Sequence, residues 1–150
     1  MTAALTSPSF ASDRRFAHRL GYAGLLPFVF GALLVWFVRP DAHPYATLAL
    51  SAYAAVIVSF LGGIHWGIAM REAAPPASMF VWAVVPSLVA WIAVMMPANA
   101  GLVVLGVMLC VCYAVDRRIY PLHGLGRWLT LRFRLSSVAS LSCFLGAAGT

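Results

Sequence analysis

The sequence predicts an all-α integral-membrane helical bundle of five transmembrane helices, four being the fallback, with the N-terminus cytoplasmic and the C-terminus outside. Three observations predict it. The 150 residues are 63% hydrophobic and only 9% charged, whereas soluble domains carry about a quarter charged residues. A water-soluble fold could not hide this much apolar surface behind so few charges. The apolar residues fall into five runs near the length of about 20 residues that a bilayer core requires. All ten basic residues are arginine, and they collect at one side of those runs.

The first run is Leu20–Val38. It exceeds a signal-peptide core in length, and Arg39-Pro40-Asp41 follows it instead of a small-residue cleavage site, so it is read as a retained helix. Pro27 should bend it. The second, Tyr45–Met70, is long enough to tilt. The third, Met79–Met96, contains Pro86, and the fourth is Ala98–Val115. The turn Pro97-Ala98-Asn99-Ala100-Gly101 is so tight that these two should be antiparallel neighbours. The fifth, Trp128–Ala148, is the weakest. Its unbroken apolar stretch begins only at Leu135 and includes Ser136, Ser137, Ser140 and Ser142. To span, it must use Trp128–Arg134 as an interfacial first turn with snorkelling arginines. Residues 1–19 then form a polar, basic cytoplasmic segment, and 20–150 form one transmembrane domain. The absence of an internal repeat argues against an inverted-repeat transporter.

Arginine placement sets the orientation. Arg14, Arg15, Arg19, Arg71, Arg117, Arg118, Arg127, Arg132 and Arg134 share one side if all five runs cross, and Arg39 alone falls on the other. The positive-inside rule makes the nine-arginine side cytoplasmic, in a bacterial inner membrane. The net charge of +6 then meets anionic lipid headgroups, not nucleic acid, since no soluble module remains to present it. Cys110 and Cys112 are two apart, which is neither a redox nor a zinc spacing, and with Cys143 they read as buried, reduced packing residues.

The most unusual stretch is Ser59-Phe60-Leu61-Gly62-Gly63-Ile64-His65-Trp66-Gly67. Ser59, Gly63 and Gly67 form a small-xxx-small stripe along which a neighbouring backbone could approach, and they are the candidate helix-packing residues. His65 lies about 200° around the helix from Gly63, on the side of Gly62 and Ala69. An ionisable group inside a membrane is a functional candidate, although a neutral imidazole bonded to the next helix is the blander reading. Trp66 reads as an interfacial anchor, with Arg71 close by. Asp116 ends the fourth run, where a carboxylate opposes the helix dipole and needs a cation. Arg117 and Arg118 point elsewhere on that helix. Arg132 and Arg134 enter the bilayer at the level of Asp116, and a buried pair would lock the fifth helix onto the fourth.

These residues also carry a resemblance. Phe60-Leu61-Gly62-Gly63-Ile64-His65-Trp66-Gly67, then Asp116 with its arginines, then Trp128-Leu129-Thr130-Leu131-Arg132-Phe133-Arg134-Leu135-Ser136, resemble an uncharacterised membrane family that includes mitochondrial transmembrane protein 69. The resemblance covers nearly all of the chain after Ala17. It implies the same small helical bundle and no activity, because that family has none assigned.

Among function classes, enzymes do badly: there is no Ser–His–Asp set, no paired carboxylates and no phosphate loop. Neither catalytic residues nor a metal site is expected. Haem would need two facing histidines, and only His65 lies clearly in the membrane. An accessory or scaffold subunit, packed against a larger membrane complex or another copy, ranks first. The alternative is a lipid-headgroup or quinone site on the cytoplasmic side, lined by His65, Trp66, Arg71, Asp116, Arg132 and Arg134.

Overall fold

The computed structural model describes residues 8–150, and among them there is no strand. Six helices follow one another: α1 (Pro8–Ala23), α2 (Leu26–Phe37), α3 (His43–Ala69), α4 (Ala77–Met95), α5 (Ala98–Ile119) and α6 (Leu129–Ala148). Four stretches are long and apolar enough to cross a membrane: Asp13–Phe37, Ala77–Met95, His43–Ala69 and Ala98–His123. The first of these joins most of α1 to α2.

Most prolines punctuate the chain where they cost least, and Pro86, inside α4, is the exception. Pro27 and Pro44 sit in the first turns of α2 and α3, where a missing N–H breaks no helical bond. The bend expected at Pro27 is therefore a break just before it, at Gly24–Leu25. That break frees the Gly24 carbonyl, which accepts a hydrogen bond from the Tyr53 hydroxyl at 2.8 Å. In hydrocarbon an unanswered carbonyl costs several kcal/mol. The helix also starts earlier than the apolar run suggested, because α1 extends back to Pro8. Helix formation needs no apolarity, and no proline or glycine interrupts Ser9–Leu20. Residues 1–7, part of the expected polar segment, lie outside the described residues.

α3 and α5 form the centre. α3 packs against α2, α4 and α5, and α5 packs against α3, α4 and α6. α6 closes the bundle against α5 and α2. Its 20 residues reach about 30 Å antiparallel to α5. Asp116 meets Arg132 at one end, and toward the other the Phe144 ring covers Gly106 and Leu102 reaches Gly146. α6 lies outside the four most apolar stretches because two arginines and four serines dilute it. Its full-length register on α5 is set by side-chain packing, which hydropathy does not measure.

Side-chain bonds tie both ends. At one, Trp36 Nε1 donates to the Leu145 carbonyl at 3.0 Å and His43 Nε2 lies 2.9 Å from the Gly149 carbonyl. At the other, α5 runs into a 3-10 turn at Tyr120–His123. Gly124 follows with φ 70°, a left-handed conformation that glycine adopts without strain. There His123 Nε2 approaches Glu72 at 3.4 Å, and the His18 and Trp128 rings lie 5.6 Å apart. Arg39 is thus at the Leu145–Gly149 end and the other arginines gather at the opposite one.

Candidate functional site

Asp116 sits in the last turns of α5 and is 1% exposed; it is the one buried carboxylate among the described residues. Arg117 and Arg118, beside it in sequence, are exposed and face away. Its partners come from other helices. His65 of α3, itself 2% exposed, places Nε2 2.8 Å from Oδ1. Arg132 of α6 donates from Nε to Oδ2 at 2.7 Å. Its Nη2 lies 2.6 Å from that same oxygen, too poorly aligned for a second hydrogen bond. The approach is therefore an end-on ion pair with one aligned bond, not a two-pronged fork. An ionised carboxylate only accepts, so His65 Nε2 carries the hydrogen in this arrangement.

The cluster lies in an aromatic, apolar frame. Tyr120 is buried, with its ring 6.1 Å from that of His65. Trp82 of α4 meets His65 edge-on at 6.3 Å. Cys112, one turn before Asp116, is also buried. His65 Nδ1 and Trp82 Nε1 have no hydrogen-bond partner. Among the described residues no third His, Cys, Asp or Glu joins His65 and Asp116 closely enough to share a metal ion. One carboxylate thus joins three helices, and its chemistry is that of a tie. Breaking a buried pair of this kind costs roughly 3–5 kcal/mol.

The other expected members of a single pocket disperse. Arg134 is exposed and donates from Nη1 to the Tyr22 hydroxyl at 3.2 Å. Its position two residues after Arg132 turns it about 200° around the helix. Trp66 is exposed and packs edge-on against Phe80, the rings 5.2 Å apart. Arg71 is exposed at the end of α3 and lines a small polar recess with Glu72 and His123. His65, expected to line a pocket, is packed among Asp116, Trp82 and Tyr120. An apolar cavity of about 350 Å³ lies beyond Arg132, between α6 and the α1–α2 break. Arg132 lines it, but His65, Trp66, Arg71, Asp116 and Arg134 do not.

The packing role within this chain passes from Gly63 and Gly67 to Gly62. A Cβ on Gly63 or Gly67 would touch nothing, whereas one on Gly62 would collide with the Ala83 carbonyl of α4 and press on Pro86. Ser59 is only half-buried. The signal that could have distinguished the two glycines was His65. A polar side chain must face inward in lipid, and Gly62, three residues earlier, shares its face. Sequence reasoning also missed Tyr120 and Trp82, since a lone aromatic near a helix end reads equally as an interfacial anchor. Cys112 and Cys143 are buried as expected, and Cys110 faces outward.

Fold and site together define a small polytopic helical membrane protein whose polar residues converge on one interhelical tie. The chain matches, over residues 14–148, the model of the family described as Protein of unknown function (DUF3429), and it belongs to that family. It is 40% identical over 131 residues to Transmembrane protein 69 of Xenopus tropicalis, covering 82% of this chain and 50% of that protein. Transmembrane protein 69 of Mus musculus is 26% identical over 124 residues, covering 80% of this chain and 50% of the mouse protein. The chain therefore spans about half the length of the curated relatives it matches. No solved structure matches it.

Proposed function

We propose that this protein is an accessory subunit of the inner membrane, docking laterally through the outer face of α3 onto a helix of a larger membrane complex or a second copy. The observation that carries this reading is the outward stripe of Ser59, Gly63 and Gly67. Both glycines are exposed, and neither has an atom of this chain near the space a Cβ would take. Small residues on a lipid-facing surface let another helix's backbone come close, which is how membrane helices associate when hydrophobic burial offers no advantage over lipid. The tie between α3, α5 and α6 keeps that face rigid. The protein crosses the membrane five times, with its N-terminus and nine arginines on the cytoplasmic side. Arg14, Arg15, Arg19, Arg117, Arg118 and Arg127, all exposed at one end, meet anionic headgroups there.

The test is co-purification of the full chain from mildly solubilised native membranes. A stoichiometric partner or a dimer is expected with the parent protein. It should be lost in Gly63→Leu and Gly67→Leu, while both variants melt in detergent like the parent. A parent protein that purifies alone as a monomer, or variants that keep the partner, would overturn the proposal.

A further inference from the structure

The cavity beyond Arg132 combines an apolar wall with two under-used polar groups. Leu20, Phe28, Phe60 and Leu135 are among its lining side chains, and Arg132 and Ser136 supply its polar atoms from α6. These two are four residues apart and so share one helix face. Ser136 is 5% exposed, and its hydroxyl has no hydrogen-bond partner. That is unusual, because a serine inside a membrane helix normally bonds the preceding turn. Ser142 does so, donating to the Val138 carbonyl at 2.9 Å, and Ser140 donates to the Ser137 carbonyl at 3.2 Å. Arg132 gives Asp116 one aligned bond from Nε and a close approach from Nη2, and the donors on Nη1 take part in neither.

Donors left open beside an apolar cavity in a membrane call for an acceptor-bearing molecule, since an unmet polar group is costly there. Charge narrows the choice. Asp116 already neutralises Arg132, so a phosphate would add an unbalanced negative charge to a buried site. A neutral carbonyl adds none. The volume lies at the small end of ligand pockets, enough for a ring or a glycerol ester with the first carbons of a tail. The cavity runs from Arg132 to Ala139, about two turns of α6, so the tail lies along the apolar wall.

We propose that this cavity holds one uncharged membrane amphiphile through a carbonyl oxygen that accepts from Ser136 and Arg132. An isoprenoid quinone and a diacylglycerol share that chemistry. The cavity adjoins the docking face of α3, since Phe60 lines it three residues before Gly63, but its polar groups lie on α6, so Ser136 tests it separately from lateral docking.

Purified full-length protein in detergent is titrated with short-chain ubiquinone, short-chain diacylglycerol and short-chain phosphatidylglycerol, and saturable binding is followed by calorimetry. One of the two neutral probes should bind more tightly than phosphatidylglycerol, and which of them does so identifies the source. Ser136→Ala removes a single oxygen and should weaken that binding roughly fivefold to tenfold with the unliganded melt unchanged. Ser140→Ala, whose hydroxyl is already used, should bind as the parent does. Ser136→Leu should abolish binding by filling the space. Failure of both neutral probes to saturate, tighter binding of the phosphatidylglycerol, or parental affinity in Ser136→Ala would each overturn the proposal.

Discussion

Gly62 of α3 lies directly against the carbonyl of Ala83 in α4, and Gly63 beside it touches nothing in the chain. One residue of rotation, about 100°, separates a helix–helix contact from a surface facing lipid. Pro86 reinforces the contact, its ring meeting the same glycine. Lacking its N–H, Pro86 leaves the Trp82 carbonyl, one residue before Ala83, without its usual helical donor.

Substitution at these two glycines should therefore give opposite results. Gly62→Leu should lower the melting temperature in detergent sharply, because overpacking a close backbone contact costs about 1–3 kcal/mol or more. Gly62→Ala should fall between it and the parent. Gly63→Leu should melt with the parent. The check is a thermal melt of monodisperse protein in one detergent. Equal losses at both positions would mean that α3 is rotated from the orientation described here.

Much of this architecture was legible in the sequence, for identifiable reasons. Pro40, Pro44, Pro75, Pro76 and Pro97 mark the helix boundaries because proline is cheap only at helix starts and in turns. The convergence of Asp116 and Arg132 could be read because each must leave lipid at the same depth, which five antiparallel runs bring to one end. The choice between Arg132 and Arg134 could not be made, since it depends on how α6 rotates against α5. That rotation is set by contacts such as Phe144 over Gly106, which no periodicity predicts. His65 shows the same limit from the other side. Burial is required of it, but whether it meets a cavity or a packed partner depends on Trp82 and Tyr120, residues on elements distant in sequence.

Topology has its own test, because α6 is not among the four stretches apolar enough to cross by composition and yet packs along α5 from Asp116 to Leu102. A reporter active only outside the cytoplasm, fused after Thr150, should be active. A cytoplasm-only reporter at the same position should be silent. The reverse pattern in a stably inserted protein would mean an even number of crossings or an inverted orientation.

The tie itself makes the sharpest prediction. Asp116→Asn leaves Arg132 buried without its counter-charge and should destabilise the bundle by roughly 3–5 kcal/mol. Asp116→Asn combined with Arg132→Gln leaves neither charge behind and should cost markedly less than the sum of the single changes. His65→Ala removes one donor but keeps the ion pair, so its loss should be smaller, about 1–3 kcal/mol, and His65→Gln should recover part of it. Arg134→Gln should have no measurable effect, because Arg134 is exposed and only touches Tyr22. Reversible unfolding in mixed micelles, run on the five single variants and on the Asp116–Arg132 and Asp116–Arg134 double variants, supplies the two cycles. A non-zero coupling between Asp116 and Arg132, with none between Asp116 and Arg134, is what the geometry requires. Additive losses for Asp116 and Arg132 would mean that the two do not interact in the folded protein, and α6 would then be held on α5 by packing such as that at Gly106, at Gly146 and between the Tyr113 and Phe133 rings.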